Sequence, residues 1–230
     1  MEAGAVPVPS PATEESGFLT RVFAWMFAGL ALTGVIAAWI GTDDTLLTKI
    51  TETPGIVIGV VIAQLALVLF LSFAIKRVSP AVATFLFLLY AALVGVTFAF
   101  IFELYTAQSI FTTFLITSAM FAALAFLGAV LKQDLTKLGP ILFAALIALI
   151  IATVVNVFVA SSTLYWVTTY AGILIFAGLT VYDMQKLKQI GEQGVTGDDE
   201  QRLAIFGALS LYLDFINLFI FLLRIFGTRR

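Results

Sequence analysis

The sequence predicts an all-α membrane protein, with seven transmembrane helices in one bundle and the last helix at its centre. Three observations carry this. Of the 230 residues, 61% are hydrophobic and 11% charged; seven spans of about 21 residues would fill roughly 64% of such a chain. The apolar runs exceed the roughly 10–14 residues of a buried helix in a soluble domain. Nearly all of the 12 basic and 14 acidic residues fall between those runs. The same composition excludes an ordinary cytosolic globule and a disordered chain. A formal net charge of −2 offers no basic field to nucleic acid. With no Cys and no His, disulfides, thiolate nucleophiles, Ser-His-Asp triads and imidazole metal sites are excluded. Proton or cation chemistry must therefore run on carboxylates, which are hard oxygen ligands.

From the N-terminus, residues 1–20 carry Pro7, Pro9, Pro11 and the acids Glu2, Glu14 and Glu15, and read as a mobile tail. Residues 21–230 form the seven-helix transmembrane domain. The tail lacks a basic n-region and the run after it is too long for a cleaved signal, so the first span is retained. Spans fall at about 22–41, 54–75, 80–102, 111–131, 139–160, 164–183 and 203–226. Pro54, Pro80 and Pro140 stand at helix starts, where the missing N–H costs nothing. Short connections make consecutive helices antiparallel neighbours.

Arg21, Lys76, Arg77, Lys132, Lys137, Lys186, Lys188 and Arg202 lie on one side of this arrangement, against Lys49, Arg224, Arg229 and Arg230 on the other. The charge bias places the N-terminus and the even connections in the cytoplasm. The C-terminal arginines would then lie outside, against the bias, unless the last helix re-enters the membrane.

The few charges inside the spans carry the functional information. Asp214 sits in LSLYLDFINLFIFLL, with apolar neighbours for more than two turns on either side. A carboxylate at a span centre costs roughly 2.5–3.5 kcal/mol on insertion scales, so it must face protein or water. Gly207, Ser210, Asp214, Asn217, Phe221 and Arg224 share one helix face. A polar stripe on an otherwise lipid-soluble helix suits a helix wrapped by the others. Ser210 and Asn217 are pathway residues or interhelical hydrogen-bond glue. Asp183 ends the sixth span, but the apolar period runs on through Leu187 and Ile190 to Gly191, so this helix overshoots the membrane core and places Asp183 near the cytoplasmic interface. Asp183 could also simply pair with Lys186 at i+3. Asp198 and Gln201 have the spacing of a capping box for the last helix. If Asp183 and Asp214 approach within about 3–4 Å, both cannot stay ionised in a dry site and one proton is shared. Arg77, with five fixed donors, could clamp either carboxylate or serve as an ordinary cytoplasmic anchor. Glu103 ends the third span on the outer side, as a cation-attracting mouth or a solvated glutamate. Gln64, Thr117 and Asn156 read as packing glue, and Gly55 with Gly59 form a GxxxG element that predicts close helix contact. Trp25, Trp39 and Trp166 lie near span ends, as an aromatic belt requires.

The segments GLTVYDMQKLKQIGEQ (178–193) and GALSLYLDFINLFIFLLRIFG (207–227) resemble the Bax inhibitor (transmembrane Bax-inhibitor-motif) family, in its bacterial YccA/YbhL-like branch. The likeness includes LYAALVGVTFAFIFELYTAQSI (89–110) and KQDLTKLG (132–139), and omits only the N-terminal tail. The resemblance implies a multi-pass protein of the cell inner membrane, with the seventh helix between two three-helix layers. It implies a pH-sensitive calcium leak in which two aspartates of the sixth and seventh helices share a proton; these fall on Asp183 and Asp214, which would also be the residues that meet Ca²⁺. An arginine latch at the end of the second helix falls on Arg77, counted back from Gly95-Val96-Thr97. No cofactor is implied beyond Ca²⁺ as the transported or transiently bound ion. The family's acid in the second helix is not matched, since Gln64 and Ala66 occupy that neighbourhood. Other bacterial relatives are linked to modulation of a membrane-bound quality-control protease, so the alternative is a non-conducting adaptor. An enzyme is not expected: Asp214 follows Leu-Tyr-Leu, not the Gly-x-Gly of intramembrane aspartyl proteases, and no Pro-Ala-Leu element is present.

Overall fold

Inside hydrocarbon every backbone N–H and C=O must be satisfied within the protein, so long apolar runs become helices. The computed structural model describes residues 11–74 and 77–230. Its elements are α1 (Pro11–Thr42), α2 (Asp44–Thr51), α3 (Pro54–Ala74), α4 (Pro80–Leu104), α5 (Ala107–Val130), α6 (Leu138–Val159), α7 (Ser162–Glu192) and α8 (Gly197–Phe226). All but α2 are long and apolar enough to cross a membrane, which gives seven spans. The short α2 fills the first connection, started by Asp43, whose Oδ1 accepts from Thr45 N and Leu46 N at 3.0 Å each.

Two boundaries differ from the sequence reading. Helix α1 begins at Pro11, inside the segment read as tail, while residues 1–10 of that tail lie outside the described residues, as does Lys76. The extra turns are held by tertiary contacts: Phe18 is buried, its ring lies close to Gly191 of α7, and Arg21 pairs with Glu200 of α8 at 2.9 Å. The Asp198–Gln201 capping box does not form. The N-cap is Thr196, so Asp198 falls inside the first turn with Asp199 and Glu200, where the helix dipole favours carboxylates without a cap bond.

The packing explains why α8 is central. Helix α4 packs against both α1 and α3, and α7 against both α5 and α6, giving two groups of three. Helix α8 runs between them and touches α1, α4, α5 and α7. In its most apolar stretch 72% of residues are buried, against 6% in α3 and in α6, which face the lipid. Close approach of α1 and α4 depends on Gly95: a Cβ there would stand 2.8 Å from Ile36 Cβ and 2.9 Å from Thr33 O. The GxxxG of Gly55 and Gly59 makes no such contact. Neither glycine has an atom within 4 Å of where a Cβ would be, because α3 is an outer helix. Gln64 does act as glue, its Nε2 donating to Thr97 Oγ1 of α4 at 2.8 Å.

Helix α8 does not re-enter. It continues to Phe226, and the tail beyond it meets the outer end of α4: Thr106 N donates to Thr228 O at 3.0 Å and Arg230 N to Leu104 O at 3.1 Å. Arg224, Arg229 and Arg230 therefore lie on the face opposite Arg21, Lys188 and Arg202.

These contacts predict opposite outcomes for two glycine substitutions. Gly95→Ala should destabilise the fold by about 1–3 kcal/mol through overpacking. Gly59→Ala should be neutral or slightly stabilising, since alanine is the better helix former. Thermal melts in detergent, read as monodisperse protein remaining, separate the two.

Candidate functional site

The site is built where α7 and α8 run antiparallel. Two close contacts set their register. Phe221 lies against Gly172, and Leu187 lies against Gly207, so that any larger residue at either glycine would displace the partner side chain. This register places Asp214 opposite Thr180, which is fully buried, and puts Asp183 three residues further along α7, about 4.5 Å along the axis. Asp214 is 4% exposed. Its Oδ2 is buried and has no hydrogen-bond partner, which is uncommon for a carboxylate and marks the group as available. Asp183 is half-buried and is the neighbouring acid that bears on Asp214 electrostatically. Lys186 is exposed and acts on Asp183 as a nearby charge, but the i+3 ion pair between them is not formed.

The surroundings differ sharply on the two sides of the pair. Toward the end that carries Arg21 and Lys188 lies the half-buried Asp183. Toward the other end, α8 presents Phe215, Ile216, Leu218, Phe219, Phe221, Leu222 and Leu223, all buried. Aromatic rings of three helices close on this stretch: Phe114 and Phe121 of α5 on Phe215 at 5.6 and 5.5 Å, Phe98 of α4 on Phe219 at 5.9 Å, and Phe176 of α7 on Phe221 at 6.0 Å. The result is an apolar collar about nine residues, or roughly 13 Å, deep.

Arg77 is exposed in the connection before α4 and makes no ion pair with Asp183 or Asp214. Its neighbour Val78 is tied to α8, since Arg202 Nη1 donates to Val78 O at 3.2 Å while Nη2 pairs with Asp199 Oδ1 at 2.6 Å. Ser210 and Asn217 are half-buried on α8. The amide of Asn217 donates to Leu213 O of its own helix at 2.8 Å, not across to another helix. Thr117 likewise bonds Thr113 O in its own helix, and Asn156 Oδ1 accepts from Ser161 N in the α6–α7 turn. Glu103 is exposed at the outer end of α4.

Two buried polar groups near the pair escaped the sequence reading. Tyr212, two residues before Asp214, is fully buried with its hydroxyl 2.7 Å from Thr33 Oγ1, which donates to Ala91 O at 2.8 Å. Phe87 and Tyr90 meet its ring edge-to-face at 5.8 and 6.0 Å. This network ties α8 to α1 and α4 beside the carboxylates. Gln185, two residues after Asp183, is 7% exposed. Its Oε1 accepts from Leu135 N at 2.8 Å and its Nε2 donates to Leu131 O and Gln133 O at 3.2 and 2.8 Å. In sequence a lone Thr, Tyr or Gln looks like any other interfacial polar residue. Only the packing shows that these three face inward.

Six crossing helices grouped around a seventh, buried helix that carries a carboxylate define a polytopic integral membrane protein with an acidic pair in its interior. The chain belongs to the Bax inhibitor family: the family described as "Inhibitor of apoptosis-promoting Bax1" matches residues 15–230. It is similar to inner membrane protein YbhL of Escherichia coli, at 46% identity over 93% of this chain and 92% of that protein. It is also similar to an uncharacterized protein of Deinococcus radiodurans, at 40% identity over 92% and 90% of the two chains. A third relative, an uncharacterized protein of Borreliella burgdorferi, is 40% identical over 93% and 92%. The chain is therefore a multi-pass inner membrane protein of this family.

The Tyr212 network makes an asymmetric prediction. Thr33→Val strands the buried Tyr212 hydroxyl and should cost about 1–3 kcal/mol. Tyr212→Phe leaves Thr33 bonded to Ala91 O and should cost less, about 0.5–1.5 kcal/mol. Melting curves of the two variants in the same detergent give the order.

Proposed function

We propose that this protein is a pH-sensitive leak for calcium or related cations, gated by the Asp183–Asp214 pair with Arg77 as latch. The observation that carries this reading is the buried, unpartnered carboxylate oxygen of Asp214 beside a second acid. Two carboxylates facing one another in a low-dielectric core hold one proton between them. When rising pH removes it, two like charges remain, and the pair either separates or takes up a cation. The aromatic collar beyond Asp214 is the kind of apolar constriction that blocks ions by excluding water. In this reading the collar is the barrier that holds the leak closed. Because Arg202 on α8 holds Val78 O, a shift of α8 moves the residue next to Arg77 and alters its reach to the carboxylates. Two carboxylates supply only part of the six to eight oxygens that Ca²⁺ takes, which suits a passing ion better than a stored one.

One observation favours a second reading, a non-conducting adaptor acting on a membrane-bound quality-control protease. Helix α3 carries Gln64 where the family's second-helix acid is expected, and that glutamine is spent on packing against Thr97.

Ca²⁺ flux into proteoliposomes loaded with an indicator dye should rise with pH, and Asp214→Asn should abolish it or make it independent of pH. Phe215→Ala and Phe219→Ala, which thin the collar, should raise the leak at acid pH. Flux equal to that of empty liposomes at every pH would remove the channel reading. Co-purification of a membrane protease unaffected by Asp183→Asn combined with Asp214→Asn would then favour the adaptor.

A further inference from the structure

The three C-terminal arginines lie against the charge bias, and the structure shows what holds two of them. At the outer end of α7 and α8, the Arg224 guanidinium lies 5.1 Å from the centre of the Tyr165 ring and 4.9 Å from that of Phe221. Such contacts use the face of the guanidinium and leave its in-plane N–H donors free. Arg229 lies beside the hydroxyls of Tyr105 and Tyr165, which favour its charged form. Among the described residues no carboxylate pairs with either arginine. Both line one recess of about 510 Å³, together with Asn156, Ser161, Tyr165 and Trp166.

We propose that this recess binds the phosphate of an anionic phospholipid in the outer leaflet. Two guanidiniums that lack a carboxylate partner and are positioned by aromatic side chains supply the kind of donors that recognition of a phosphate uses. The recess also lies at headgroup depth. Trp166, on its wall, stacks on Tyr170 at 5.9 Å, and both rings are exposed in the manner of an interfacial belt. The lipid source follows from what adjoins the recess. The last turn of α6 exposes Val157, Phe158 and Val159, with Phe158 84% exposed, directly before Ala160 of the lining. An acyl chain attached to the bound phosphate would lie along that surface, whereas free phosphate would gain nothing from it. Basic pockets between transmembrane helices bind anionic headgroups by the same principle.

The test uses the full-length protein in detergent with added phosphatidylglycerol or phosphatidylcholine, and native mass spectrometry to count retained lipids. Phosphatidylglycerol should be retained several-fold better than phosphatidylcholine. Arg224→Gln and Arg229→Gln should each cut that preference about five-fold. Arg229 is in the exposed tail, so its variant tests the site even if Arg224→Gln unfolds. Equal retention of the two lipids, or a preference unchanged by Arg229→Gln and by a folded Arg224→Gln, would overturn the site. Competition by inorganic phosphate as effective as by phosphatidylglycerol would overturn the lipid assignment. Neither result touches Ca²⁺ flux through the Asp183–Asp214 pair.

Discussion

A carboxylate placed mid-span cannot face lipid, and most of this architecture answers that constraint. Asp214 must be enclosed by protein, so the helix that bears it becomes the axis, α1, α4, α5 and α7 become its wall, and α3 and α6 pack outside them. Enclosure then requires close approach on every side of α8. Small residues permit it: Gly172 gives room to Phe221, and Gly207 to Leu187. Those two contacts also fix the α7–α8 register that brings Asp183 within one turn of Asp214. The same packing that protects the acid therefore selects its partner.

The polarity along α8 is as informative as its burial. On one side of Asp214 the helix passes Tyr212, whose hydroxyl is taken by Thr33, and runs on to an acidic first turn and Arg202 in the aqueous zone. On the other side apolar side chains follow until Arg224, interrupted only by Asn217, whose amide is bonded to Leu213 O of its own helix. Asp214 thus has a second acid, Asp183, toward one end of the bundle and a largely apolar stretch of α8 toward the other. The proposed gate rests on that asymmetry. The outer end repeats the theme in a shallower setting, where aromatic faces orient Arg224 without neutralising it.

Much of this was legible in the sequence, for reasons that can be named. Spans and their proline starts follow from apolar run length, and the centrality of α8 from a polar stripe on a lipid-soluble helix. Asp214 stood out because the cost of a mid-span carboxylate does not depend on its neighbours. Where sequence and structure differ, or where the sequence leaves alternatives open, the cause is the same: local pattern does not fix contact. Gly55 and Gly59 have the GxxxG spacing yet face away from the bundle, because spacing says nothing about which side of α3 is covered. Asn217 could bond across to another helix or back to its own, and it does the latter. Asp198 has the capping pattern, but the N-cap is Thr196 and the helix starts at Gly197, where the Arg21–Glu200 pair ties its first turn to α1.

The sequence by itself determined the number of spans, the helix that had to be buried and the residue whose charge required it, since each rests on transfer free energy summed along a single helix. Only the tertiary structure decided which groups surround that charge. Whether Thr33 meets Tyr212, whether Gln185 holds the 131–135 connection, and on which face Arg224 finds its aromatic rings depend on helix rotation and register. Those are set by side-chain volumes at interfaces between helices distant in the chain, where no one-dimensional pattern records them.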